Sequence, residues 1–192
     1  MLSPINQGLS FLISSVFDLY IFILMLRLLL VYIRADFYNP LSQFVIKFTQ
    51  MPITAFKRFL PNIKQIEIAT LVFILVLEAV KFLLLGLVIG GVIANILGLL
   101  VLSCADFLKS FINIFIYAIL IGAVLSWVQP YHPVCALLRQ MTYPIMRPFY
   151  KIIPPINGVD ITPIPVMIGL YLILIVLITP MLQAGQAMAF RL

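Results

Sequence analysis

The chain has 192 residues, 64% hydrophobic and only 9% charged, where a water-soluble domain carries about a quarter of its residues charged. With a mean hydropathy of +1.21, that excludes an ordinary soluble fold and points to an all-α polytopic membrane protein. Twelve Lys and Arg against six Asp and Glu leave a net charge of +6, and where those cations fall decides the orientation.

The first apolar run, 9–33, is long enough to cross a hydrocarbon core of about 30 Å at about 1.5 Å per residue. No Lys or Arg precedes it and it is too long for the apolar part of a secretory signal, so it is expected to stay in the mature protein. It contains Asp18 and Arg27. From Asn39 to Pro61 the apolar residues Leu41, Phe44, Val45 and Phe48 recur at helical spacing, with Ser42, Gln43, Lys47, Thr49 and Gln50 on the other side. This predicts an amphipathic helix, with Asn39 as its cap and Pro40 in its first position. Pro52 is expected to interrupt it before Ile53 and Phe56 resume the stripe beside Lys57 and Arg58. A second span, 68–89, carries Glu78 and Lys81 one helical turn apart on a shared face.

Residues 90–105 are apolar, but a full crossing there would export the next basic loop. Gly90, Gly91, Asn95 and Gly98 favour a re-entrant or interfacial turn instead. A third span, 107–128, leads into a second amphipathic stretch with His132 and Pro133 at its start, Val134, Leu137, Leu138 and Met141 on one face, and Arg139, Arg147 and Lys151 among its cations. A fourth span occupies 165–182. Cys104 and Cys135 fall on opposite sides of the membrane and read as small hydrophobes.

The two halves repeat. An offset that carries Pro40 onto Pro133 also carries Thr49 onto Thr142, Phe56 onto Phe149, Pro61 onto Pro154 and Glu67 onto Asp160 without a gap. The chain is therefore expected to be a single membrane domain, 1–192, made of a repeat over 9–90, a connector over 91–101 and a repeat over 102–183. Its four transmembrane helices form two parallel helix/amphipathic-segment/helix units. Lys and Arg concentrate in the two amphipathic loops, which positive-inside logic places in the cytoplasm, with both termini on the other side.

Ionisable residues inside spans are functional candidates. Counted from the cytoplasmic ends, Asp18 and Lys81 lie about 22 and about 20 Å deep and form a depth-matched pair. Arg27, at about 9 Å, is expected either to reach inward to Glu78 or to snorkel to the interface. The aligned positions in the second half, Phe111, Leu120, Tyr171 and Leu174, are uncharged. A pairing role that holds the first hairpin together is favoured over an ion relay. No metal-ligand spacing, nucleophile elbow or phosphate loop occurs, so neither an enzyme nor a cofactor is expected.

The residues Asp18-Leu19-Tyr20 with Arg27, then Asp36-Phe37-Tyr38-Asn39-Pro40-Leu41-Ser42-Gln43-Phe44-Val45 and Lys57-Arg58-Phe59-Leu60-Pro61, resemble the first repeat of the YggT (YlmG) family. Ser126-Trp127, Pro144, Pro148, Pro154 and Asp160-Ile161-Thr162-Pro163 resemble its second. The pattern departs at Thr49-Gln50, followed here by Met51 before Pro52, and at Tyr150-Lys151, where the family has paired arginines. The resemblance implies a bacterial inner-membrane protein. Its relatives are tied to assembly of membrane complexes, to division-site or nucleoid organisation and to tolerance of osmotic stress.

The expected function is therefore a non-enzymatic assembly or organising factor. It would meet anionic lipid headgroups and other membrane proteins through Asn39, Pro40, Phe44, Lys47, Phe48, Lys57, Arg58, His132, Pro133, Arg139, Arg147 and Lys151. Direct contact with nucleic acid is not expected, and a homo-oligomer is compatible with this reading. The alternative is a small ion transporter or channel component acting under osmotic stress.

Overall fold

A computed structural model describes residues 3–35, 39–58, 60, 67–90, 95–153 and 160–190. The family-like positions Asp36, Phe37, Tyr38, Phe59, Pro61 and Pro154, and the cations Lys64 and Arg191, lie outside them. Among the described residues all regular structure is helical: α1 (Pro4–Tyr32), α2 (Pro40–Lys57), α3 (Ile68–Gly90), α4 (Ile96–Val128), α5 (Pro133–Tyr150), α6 (Pro163–Ile173) and α7 (Thr179–Phe190). Four stretches are long and apolar enough to span a membrane: α1, α3, α4, and α6 with α7 taken together.

α1 begins where the Ser3 hydroxyl accepts the Asn6 N–H and Pro4 fills the first turn. It ends in a paired C-terminal cap. Arg34 adopts a left-handed backbone (φ 52°), its N–H donates to the Val31 carbonyl and the Ala35 N–H donates to the Leu30 carbonyl. Leu30 and Ala35 then bury together, which turns the chain toward α2. α6 and α7 form one rod joined by a π-helical turn, Leu174–Ile178. Pro180 has no N–H for the carbonyl four residues back and its ring would strike it, so the widened turn relieves a clash that an α-helix could not.

Two expectations about boundaries change. The turn over 90–105 is shorter than expected, because the Asn95 side chain accepts the Leu97 N–H and starts α4 at Ile96. α4 is therefore 33 residues, about 50 Å, and only 91–94 of the turn lie outside the described residues. Its first turns are held by α7. A Cβ on Gly98 would stand 2.1 Å from the Ala189 nitrogen, and one on Gly185 2.9 Å from Leu102 backbone, so the two helices cross in near backbone contact. The second change is that Pro52, Pro144 and Pro148 do not break their helices; α2 and α5 each run through as one element.

α2 and α5 lie at the same end of the bundle. Gln140 of α5 donates to the carbonyl of Ile33 at the end of α1 (3.0 Å), and Leu137 of α5 packs into one cluster with Leu30, Ala35 and Val45.

Candidate functional site

Three groups of polar residues deserve description: a guanidinium site at the end of α1, a charge cluster at the middle of the spans, and the outer faces of α2 and α5.

Arg27 is buried. Its Nε and Nη2 grip the two oxygens of Glu67 at 2.7 and 3.1 Å, while Nη1 donates to the Thr49 hydroxyl at 2.9 Å and to Gln50 Oε1 at 3.3 Å. Lys57 closes on the same carboxylate at 2.6 Å, and the Thr70 hydroxyl donates to it. One guanidinium thus ties α1 to α2 and to the start of α3. Arg27 meets neither Glu78 nor lipid. It stands five residues from the end of α1, level with the first turn of the antiparallel α3, whereas Glu78 lies about 15 Å further along α3. Burial alone would raise the Glu67 pKa, but hydrogen bonds from Arg27, Lys57 and Thr70, with the Arg27 charge, bring it down to about 2.

The second half builds the corresponding place differently. Leu120 stands where Arg27 does and is exposed. Asp160 accepts the Thr162 N–H at 2.9 Å, and a cavity of about 80 Å³ remains between Ser126, Arg139, Thr142, Tyr150 and Asp160. Burial, and then the Asp160 charge, push the Tyr150 phenol up.

The mid-span cluster centres on Lys81. Its ammonium donates to Asp18 of α1 at 2.8 Å and to Asp106 of α4 at 2.5 Å, and lies 2.6 Å from Glu78 Oε2. The depth-matched pairing of Asp18 with Lys81 is therefore present. Asp106 and Lys109, 3.4 Å apart, complete it. Neither is among the intramembrane charges expected from the sequence: Asp106 falls between the turn expected over 90–105 and the span expected from 107, and Lys109 opens that span, although Asp106 precedes Lys109 by three residues as Glu78 does Lys81. Glu78 is fully buried and has the Lys81 ammonium as its ion-pair partner. Among the described residues no three His, Cys, Asp or Glu side chains converge as a metal site.

Both caps of α2 and α5 form as expected: Asn39 Oδ1 accepts the Leu41 N–H (2.9 Å) and His132 Nδ1 the Val134 N–H (3.2 Å). The buried faces correspond under the repeat offset. α2 buries Ser42, Val45, Thr49 and Ile53, and α5 buries Cys135, Leu138, Thr142 and Met146 at the matching positions. Thr49 and Thr142 each donate to the carbonyl four residues back, which lets a hydroxyl sit in an apolar contact.

Ser42 and Thr49, expected opposite the apolar stripe, thus share the buried face with Val45. Phe44 and Phe48, in ring contact at 4.6 Å, instead face outward with Met51 and Lys47. Pro40, Lys57, Arg58, His132, Pro133, Arg139, Arg147 and Lys151 are exposed too, and Asn39 alone of the expected docking residues is buried. Cys104 is exposed and Cys135 buried, and neither forms a disulfide.

The family model for CCB3/YggT matches the chain twice, over residues 6–88 and 101–181. An uncharacterised protein of Vibrio alginolyticus, described by its gene's position 3′ of proC, is 40% identical over 85% of this chain and 90% of its own. The uncharacterised YggT of Escherichia coli K12 is 35% identical over 86% of each chain, and an uncharacterised protein of Pseudomonas aeruginosa is 34% identical over 88% of this chain and 87% of its own. No solved structure matches. With the family pattern present in both halves and relatives aligned over most of their length, this chain belongs to the CCB3/YggT family.

Proposed function

We propose that the protein is a non-enzymatic organising factor of the bacterial inner membrane, with α2 and α5 on the cytoplasmic face and both termini on the periplasmic side. The observation that carries this reading is the placement of both basic helices at one end of the bundle. Each is fixed by one buried face and turns cations and large apolar side chains outward. Such a surface suits anionic headgroups, with Lys and Arg toward phosphate and Phe44, Phe48 and Tyr143 toward the acyl boundary. It equally suits the cytoplasmic flank of another membrane protein.

The test neutralises Lys47, Arg58, Arg139, Arg147 and Lys151 to Gln and leaves Lys57, which belongs to the Glu67 site. Each cation is worth about 1 kcal/mol at an anionic surface. The variant is expected to insert and accumulate normally while losing co-purifying membrane proteins and complementation of a deletion strain. Full complementation with unchanged partners would reduce the two helices to anchors.

A second reading, a small ion transporter or channel component acting under osmotic stress, draws support from the cluster at Lys81, where three carboxylates surround one ammonium within the spans. Ion flux into liposomes that Glu78→Gln or Asp106→Asn abolishes in a folded protein would favour it.

A further inference from the structure

Two opposite charges at mid-span depth are left half exposed: the Asp18 side chain, 60% accessible, and the Lys109 side chain, 48% accessible. They are the ends of one row of alternating sign that crosses three helices. Asp18 on α1 meets Lys81 on α3 at 2.8 Å, Lys81 meets Asp106 on α4 at 2.5 Å, and Asp106 meets Lys109 at 3.4 Å. α3 keeps Lys81 and Glu78 inside and turns Val76, Val80, Leu83, Leu84 and Leu87 outward, so the two open ends belong to α1 and α4.

Those helices meet along a seam. Phe22, one turn from Asp18, contacts Tyr117 of α4 edge to face at 6.4 Å. On α1 the small residue Ser15 is exposed beside Asp18, and on α4 Tyr117 and Leu120 are exposed. A half-exposed ion at this depth is costly in hydrocarbon. Asp18 has a single partner, and the Lys109 contact is long.

We propose that the α1–α4 seam is the interface of a homodimer whose two-fold axis runs along the membrane normal, with Asp18 of each copy paired to Lys109 of the other. Two copies inserted in the same orientation can be related by a two-fold axis only along the normal, and such an axis preserves depth. Residues that pair across it must therefore lie within side-chain reach of one level: counted from the Phe22–Tyr117 contact, Asp18 stands about 6 Å and Lys109 about 12 Å along the spans, a difference that the long lysine side chain covers. A row that reads minus, plus, minus, plus becomes plus, minus, plus, minus when turned about its middle, so it is complementary to a second copy of itself. Ser15 lets the helices approach. This pairing is independent of the organising role, because α2 and α5 take no part in it and a dimer is read out without any partner.

The full chain, carrying one fluorophore on an end-fused tag, goes into liposomes over a range of protein-to-lipid ratios, and bleaching steps are counted for single particles. Wild type is expected to pass from one-step to two-step particles as the ratio rises. Asp18→Asn or Lys109→Met, each removing both cross-pairs, should move that midpoint about tenfold toward higher protein. The deciding measurement mixes the two variants in two colours. A mixed dimer keeps one complete Asp18–Lys109 pair and a like dimer keeps none, so mixed dimers should exceed the half share that random pairing gives.

Ser15→Trp lies outside the charge row and should block association by bulk alone while the monomer remains extractable as a single species. The proposal is overturned if wild type stays monomeric at every ratio, if the two variants pair at random, or if Ser15→Trp associates as wild type does.

Discussion

Glu67 joins α1, α2 and the start of α3 at the end of the bundle where α2 and α5 lie, and its replacement by Gln tests that directly. In the folded protein its pKa is about 2, against an ordinary 4.5. The difference corresponds to about 3 kcal/mol favouring the ionised, folded form. Because the folded value is depressed, the contribution is complete above pH ~4.5 and drains away as pH falls toward 2. Glu67→Gln removes it at every pH and leaves the buried Arg27 with only Thr49, Gln50 and a neutral amide, at a cost of about 3 kcal/mol or somewhat more.

For a chain of this size that is a fall of about 6–12 °C in unfolding temperature, measurable by thermal unfolding in mild detergent. The other carboxylates also titrate, so the informative quantity is the gap between wild type and Glu67→Gln. It should be full at pH 7 and close steadily between pH 4.5 and 2.5. The double variant Arg27→Met with Glu67→Gln should unfold later than Glu67→Gln alone, because no buried charge is then stranded. A gap that is as wide at pH 3 as at pH 7, or a double variant whose losses simply add, would refute the reasoning.

Lys81→Met should be the most damaging change in the spans, by about 3–5 kcal/mol, since it removes the shared cation of three carboxylates and leaves the buried Glu78 unpaired and Asp106 with only the longer Lys109 contact. Adding Asp18→Asn should not rescue it, because Glu78 and Asp106 remain; recovery of yield and unfolding temperature in that double variant would contradict the cluster as described. Gly98→Ala should lower the unfolding temperature strongly, because its methyl meets Ala189 backbone, while Gly8→Ala, with nothing within 4 Å, should be neutral or slightly stabilising; equal effects would mean that α4 and α7 do not cross closely. Single cysteines in place of Lys47 and Lys151, in a chain otherwise free of cysteine, should resist a membrane-impermeant thiol reagent in intact cells and react in opened ones, and labelling of either from outside would reverse the proposed orientation.

Spans and caps were legible in the sequence because their signals are local. A run of apolar residues has one solution in a bilayer, and Asn39-Pro40 and His132-Pro133 each start a helix by chemistry contained within four residues. What escaped depended on how helices are levelled against one another. The partner of Arg27 is Glu67, which precedes its helix and reads as part of a loop; antiparallel levels, once counted from helix ends, would have paired them. Asp106 falls between the turn expected over 90–105 and the span expected from 107 and is counted in neither, whereas α4 already begins at Ile96 and takes in Gly98 as well. Gly98 instead serves the contact with Ala189, where only a missing side chain fits.

The face of α2 was misread for a related reason. Hydrophobicity puts Phe44 and Phe48 in one buried stripe, but a helix lying across the end of a membrane bundle has two apolar neighbours, the bundle and the lipid. The bundle side takes Ser42, Val45, Thr49 and Ile53, which pack α2 against α1 and α3 and place a hydroxyl on Arg27. Phe44 and Phe48, which need no shaped partner, stay on the outer side. α5 turns Cys135, Leu138, Thr142 and Met146 inward at the matching positions, where Thr142 lines a cavity with Arg139, Tyr150 and Asp160 and accepts from no guanidinium on the preceding span. The inward threonine is therefore satisfied within its own helix in both halves, and its bond to a guanidinium depends on Arg27, where the second half has Leu120.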